Sequence, residues 1–195
     1  MAYSTEENQE LWNSFIEGDL HAFSIFYKKN YPMLFAYGLR LQMDENHARD
    51  IIHDMFVKLY TTPSIITTST TIRSFLLVSM RNAFINIIKG EQKLVDLDNI
   101  AFDFEYAVEN DFWNKDEKAQ IKEKVDKIIK PLTPRQKEII YLRFLYQMEY
   151  HEISQIMNIS EQAARNLVYR TIDRIRKENA NSYLILLYLQ SLSFS

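Results

Sequence analysis

The sequence predicts an all-α chain, two helical domains joined by an acidic linker. Three observations lead there. Apolar residues recur at three- and four-residue spacing in both halves of the 195-residue chain. Three glycines and four prolines are too few for the many turns of an all-β fold. Between the periodic stretches, residues 94–114 hold Asp96, Asp98, Asp103, Glu105, Glu109 and Asp111 and no lysine or arginine. A composition of 47% hydrophobic and 13% aromatic residues suffices for one large or two small cores.

The elements follow in order. Ser4 and Glu7 suit a capping box ahead of Leu11, Trp12, Phe15 and Ile16. Asp19 suits the N-cap of a second helix with Leu20, Phe23, Phe26 and Tyr27 on one face, and Tyr31 to Leu41 reads as a third. Asp44 suits the cap of a fourth, running to about Tyr60. Its apolar stripe is Ala48, Ile51, Ile52, Met55, Phe56 and Leu59, and its other face carries Arg49, Asp50, His53, Asp54 and Lys58. Residues 61–71, TTPSIITTSTT, have no helical period, and Pro63 with the Thr/Ser run favours a loop. Helix resumes from Ile72 to about Ile88, with Phe75, Leu76, Val78, Met80, Phe84 and Ile87 available for burial and Gly90 as a C-terminal stop. This places a first domain at residues 1–92 and the linker at 93–115, whose Leu, Ile, Phe and Trp residues argue against full disorder. From Asp116 the period returns through Ile121, Val125, Ile128 and Ile129, and Thr133-Pro134 starts a helix that runs to about Leu145. The second domain spans 116–180. The tail at 181–195 is apolar and uncharged; it reads as packing on a domain or as a partner-binding strip.

Residues 149–177 carry the most information. Ile153, Ile156 and Met157 face inward from a short helix, Asn158 suits a left-handed turn, and Ser160 caps a second helix. Ala164, Val168 and Ile172, with Leu167 or Ile175, form that helix's buried stripe. Gln162, Arg165, Asn166, Tyr169, Arg170 and Arg174 face outward. This is a helix-turn-helix pattern, whose usual target is the DNA major groove. There Arg reads guanine, Asn and Gln read adenine, and all of them hold phosphates. The same pattern also fits a plain helical hairpin with a solvated basic face.

Several function classes are excluded. Gly18, Gly38 and Gly90 lie too far apart to cradle a phosphate. No cysteine is present, so there are no disulfides or thiolate metal sites, which fits a reducing cytoplasm. His21, His47, His53 and His151 lack metal-ligand spacing, and no nucleophile elbow or paired carboxylate constellation stands out. No metal, no cofactor and no intrinsic catalysis are therefore expected. The polar, acidic N-terminus is not a signal peptide, and no apolar run reaches the roughly 20 residues of a membrane span. Net charge is −3, and residues 131–195 carry eight basic and six acidic groups. Such a chain makes few phosphate contacts and binds DNA weakly without a larger partner.

The motifs in their order resemble a known family. PLTPRQKEIIYLRF, EYHEISQIMNIS and the basic helix after them resemble the C-terminal DNA-binding region of bacterial sigma factors. Upstream, LWNSFIEGDLHAFSIFYKKNYPMLFAYG and DIIHDMFVKLY resemble the sigma region that docks on RNA polymerase, and SFLLVSMRNAFINIIKG resembles the helix that engages the −10 element. The resemblance covers about 170 residues and is to the sigma-70 family, extracytoplasmic-function (ECF) group. QAARNLVYRTIDRIR looks most like members from Bacteroidetes.

The resemblance implies that Asp50, His53, Asp54 and Lys58 meet the β′ clamp helices of core RNA polymerase, with the β subunit as a further contact. Family members often have Gln where His53 stands. It implies that the 63–71 loop with Arg73, Arg81, Asn82, Asn86, Lys89 and Lys93 holds unpaired −10 bases. Asn82 matches a family Asn, whereas Asn86 stands where many members have Asp. It implies that the helix-turn-helix reads the −35 duplex, with Ala163-Ala164 in place of a common Thr-Val. The two elements lie roughly 70 Å apart, and about 25 extended linker residues reach roughly 80 Å. The linker's carboxylates suit a track through a positive polymerase channel, or simply a solvated chain. Further implications are promoter DNA and an anti-sigma factor, often membrane-anchored, as partners. The location is then the cytoplasm, with no stable membrane insertion and with attachment to the inner membrane only through that factor. Two other readings remain. One is a two-domain helix-turn-helix regulator whose N-terminal helices sense a ligand or dimerise. The other is a helical adaptor that binds protein.

Overall fold

Aspartate caps start two of the helices of the N-terminal half. In the computed structural model, which describes residues 5–66, 71–91, 100–104 and 115–178, the Asp19 carboxylate accepts from the backbone N–H of His21 (2.8 Å) and Ala22 (3.2 Å). Asp44 accepts from Asn46 and His47 in the same way. Each satisfies donors that the first helical turn leaves orphaned. Four helices result: α1 (Thr5–Ile16), α2 (Leu20–Arg40), α3 (Glu45–Thr61) and α4 (Ile72–Glu91). A 3₁₀ turn at Pro63–Ile65 follows α3. Gly18, at φ +108°, makes the sharp turn between α1 and α2. The proposed cap Ser4, the linker residues other than 100–104 and the whole apolar tail lie outside the described residues.

Two expectations about the N-terminal helices are corrected. The segments after Asp19 and from Tyr31 are a single helix, α2, that runs through Pro32. Proline there removes one N–H, but the stripe Ala22, Phe26, Leu34, Tyr37 and Gly38 is buried on both sides of it. Burial on that scale outweighs one lost hydrogen bond. Gly90 also lies inside the last turn of α4 and does not end it.

The N-terminal core is aromatic. Phe26 has no exposure, and its ring sits 5.4 Å from Trp12, 6.2 Å from Phe23 and 5.7 Å from Phe56, centroid to centroid. Ala48, Ile52, Phe56 and Leu59 supply the buried stripe of α3 as its periodicity predicts, with Ile51 and Met55 half-buried. Gly38 lets the helices approach closely: a β-carbon there would come within 2.5 Å of the Met80 methyl and 3.4 Å of Ala48 Cβ.

The C-terminal half holds α5 (Lys115–Ile129), α6 (Pro134–Ile140), α7 (Tyr150–Met157) and α8 (Glu161–Glu178). Thr133 and Gln136 form a full capping box at the start of α6. The helix continues as a wider π turn over Tyr141–Leu145. Asn158 adopts φ 51°, ψ 53°, the left-handed conformation that closes α7. The Ser160 hydroxyl accepts from Ala163 N–H at 3.1 Å and starts α8. The buried stripe of α8 is Ala164, Val168, Thr171 and Ile175. Thr171 therefore takes the place expected of Ile172, and its hydroxyl is satisfied by the Leu167 carbonyl at 2.7 Å. Asn158→Val is expected to cost about 1–2 kcal/mol, because a β-branched side chain resists the left-handed region. Asn158→Gly should leave thermal stability near wild type. Equal melting temperatures for the two variants would contradict this account of the turn.

Candidate nucleic-acid interface

The helix-turn-helix is built from a fixed turn and a packed first helix. α7 buries Ile153, Ile156 and Met157, as its spacing predicts. With Ala164 and Val168 buried behind it, α8 turns Gln162, Arg165, Asn166, Tyr169 and Arg170 outward, all exposed. Tyr169 is 73% exposed, unusual for an aromatic side chain without a partner surface. Arg165 pairs with Glu161 at 2.5 Å and lies over the Tyr150 ring, 4.4 Å from its centroid. Arg143 approaches the same ring at 4.8 Å. Gln162 donates to Asn166 at 3.1 Å. Arg174 departs from the set: it is half-buried and donates to Gln136 Oε1 at 3.4 Å.

On α3, Asp50, His53, Asp54 and Lys58 are all exposed along one edge. Asp54 and Lys58 also line a pocket of about 290 Å³ between α3, α4 and the Pro63 turn, together with Met55, Ile65, Phe75 and Ser79.

α4 divides the −10 set in two. Asn82, Asn86 and Lys89 are exposed, whereas Arg73 is half-buried and Arg81 is only 3% exposed. Lys93 lies outside the described residues. Arg81 does not face solvent as a free cation. Its Nε donates to Glu138 Oε1 at 2.9 Å and its terminal nitrogen to Oε2 at 3.4 Å. The Tyr37 hydroxyl donates to the same Oε1 at 2.7 Å. Burial works against the Arg81 charge, but the Glu138 carboxylate outweighs it and raises the guanidinium pKa. Burial, then the same carboxylate, pushes the Tyr37 phenol well up, so it remains a donor. Arg73 fares worse: burial lowers its pKa, and its Nε has no hydrogen-bond partner.

Glu138 belongs to α6, so this cluster joins the two halves of the chain. The contact extends to α7, where Thr71 donates to Glu152 at 2.5 Å and Ser74 to Gln155 at 3.0 Å. Linker residues 100–104 close it on another side. Phe102 packs against Tyr141 (5.4 Å) and Tyr37 (6.2 Å), and Phe104 packs edge-on against Tyr141 (5.7 Å). The Asp103 N–H donates to the Arg40 carbonyl at 2.7 Å. In this arrangement that stretch of linker is anchored rather than solvated. Sequence reasoning passed over Tyr37, Glu138, Glu152 and Gln155. Each lies inside a stretch that the sequence marks only by its overall pattern, and nothing local shows which polar side chain will meet the other half of the chain.

Comparison with known proteins agrees with the geometry. Residues 26–94 match the family described as Sigma-70 region 2, and residues 128–177 match Sigma-70, region 4. Together these cover more than half of the chain. The ECF RNA polymerase sigma factor SigM of Bacillus subtilis (strain 168) is 26% identical over 145 residues, 73% of this chain and 86% of its own length. Among the described residues, no helix is long and apolar enough to cross a membrane. The two matched regions stand in the family's order, one on each side of the acidic linker, so the chain belongs to the sigma-70 family as an ECF sigma factor, a factor that directs transcription initiation.

Proposed function

We propose that the N-terminal domain (1–92) docks on core RNA polymerase and holds the −10 element, and that the C-terminal domain (116–180) reads the −35 duplex. The linker (93–115) spans the gap. The observation that carries this division is the exposed row on α8, mounted on a capped helix-turn-helix within the region 4 match. In this reading Arg165, Asn166 and Gln162 reach base edges, Arg170 and Arg174 hold phosphates, and Tyr169 packs on the backbone or a thymine methyl. Asp50, His53, Asp54 and Lys58 form the polymerase contact, on the β′ clamp helices, with the β subunit as a further surface. Arg73, Arg81, Asn82, Asn86 and Lys89 follow the single strand. The pocket beside the Pro63 turn has the apolar walls and polar groups that an unstacked base needs. The chain supplies placement and melting while the polymerase supplies catalysis, and an anti-sigma factor hides these surfaces until a signal arrives.

The test is in vitro transcription with purified core polymerase on a library of upstream regions. Promoter-specific initiation is expected, and its absence with a folded sample would sink the reading. Asp54→Ala should abolish polymerase binding while leaving −35 duplex binding intact. The opposite pattern would reverse the domain roles.

A further inference from the structure

Between α6 and α7 the chain folds back on itself and fixes the place of one aromatic ring. After the π turn, Gln147 takes a left-handed conformation at φ 52°. The N–H of the buried Met148 then donates to the Leu142 carbonyl at 3.1 Å. Tyr150 follows as the first residue of α7, directly after the Glu149 cap and its capping box with Glu152. Its half-buried side chain packs on the apolar core.

Two guanidinium groups approach that ring, Arg143 at 4.8 Å and Arg165 at 4.4 Å from its centroid. Two cations beside one ring repel each other. Each is offset by its own carboxylate, Glu149 at 3.4 Å from Arg143 and Glu161 at 2.5 Å from Arg165. The two cations differ in freedom. Arg143 is 25% exposed and pinned, because the same nitrogen also donates to the Met148 carbonyl at 2.7 Å. Arg165 is 51% exposed, and solvent screens its ion pair. The ring is the contact that remains to Arg165 when Glu161 lets go.

A long arginine side chain loses rotamer freedom when it reads a base, and less so when its planar fork is already oriented. We propose that Tyr150 is a positioning residue for −35 recognition: its ring, anchored by Arg143, holds the Arg165 guanidinium in the posture that reads one base. The inference rests on the reading of Arg165 as a base contact and assigns the group that prepares it. A ring placed for packing alone would matter equally at every base pair. A ring that acts through Arg165 matters only at the base that Arg165 reads.

The test uses the full chain bound to core polymerase. Duplexes that the wild type selects from a randomised −35 region are the probes, each base then being replaced singly. Arg165→Ala marks the base position that Arg165 reads. The readout there is the ratio of mismatched to matched Kd. A partly unfolded sample raises both constants alike, so the ratio stands even where a variant loses stability. Tyr150→Leu keeps apolar bulk and removes the π face. It should cut that ratio about 2- to 5-fold, the weight of an exposed cation–π contact, and leave the ratios at other positions unchanged. Tyr150→Phe should restore the ratio, and Glu161→Gln should keep it. In an Arg165→Ala background Tyr150→Leu should change no ratio. An unchanged ratio in Tyr150→Leu, an equal fall at every position, an equal fall in Glu161→Gln or no rescue by Tyr150→Phe would each overturn the positioning role. A uniform loss in Arg165→Ala would overturn the base contact itself, and the positioning role with it. A position-specific loss in Arg165→Ala without one in Tyr150→Leu overturns the positioning role alone.

Discussion

Replacing Phe26 with alanine is expected to destabilise the N-terminal domain by about 3–5 kcal/mol. Phe26 has no exposure and its ring joins Trp12 on α1, Phe23 on its own helix and Phe56 on α3. Removing the ring loses its transfer free energy and leaves a cavity between three helices, none of which can close it without breaking its other contacts. Domains of this size hold about 5–15 kcal/mol in total, so the loss takes a large share. α3 also carries Asp50, His53, Asp54 and Lys58, and Phe56 is the side chain that seats it. Polymerase binding should therefore fall with stability although no surface residue has changed. Urea denaturation followed by fluorescence of Trp12, which is 3% exposed, measures the loss. A cost under about 1 kcal/mol would show that the aromatic cluster is not the keystone of this domain.

Arg165→Ala is expected to weaken −35 duplex binding by about 1–3 kcal/mol, concentrated at one base position. Before DNA arrives, Arg165 is engaged with Glu161 and lies over Tyr150. Both partners of the ion pair are about half-exposed, and an exposed pair of this kind contributes at most about 1 kcal/mol. The side chain can therefore leave Glu161 at little cost, while the Tyr150 ring keeps it extended near the start of α8. Selection of duplexes from a randomised −35 region, with wild type and variant in complex with polymerase, reads the outcome. Relaxed preference at one position assigns a base contact. A uniform loss across sequences, with a shallower salt dependence, makes Arg165 a phosphate contact instead.

Much of the fold was legible because local chemistry dictates it. Asp19, Asp44, Thr133, Asn158 and Ser160 each perform in the structure the capping or turning role that their side chains suit. The stripes of α3 and α7 follow from period alone. Two readings gave way to burial: the helix read from Tyr31 is continuous with the one before it through Pro32, and Thr171 takes the core position expected of Ile172. In both cases tertiary packing supplied what propensity could not weigh. The candidate contact residues were also legible as types. A short row of Gln, Arg, Asn and Tyr opposite an apolar stripe is visible in any helical projection, and the exposure of Gln162, Arg165, Asn166, Tyr169 and Arg170 follows from it.

By itself, then, the sequence determined the helices, their caps, the helix-turn-helix and the family's two regions in order, because each is encoded within a few neighbouring residues. Only the tertiary structure decided which cations stand free. Arg81 and Asn82 are adjacent in the chain, yet Asn82 faces solvent while Arg81 is buried against Glu138, 57 residues away. Whether a charge is exposed or neutralised depends on what packs across from it. That partner came from the other half of the chain, beyond the reach of any local pattern.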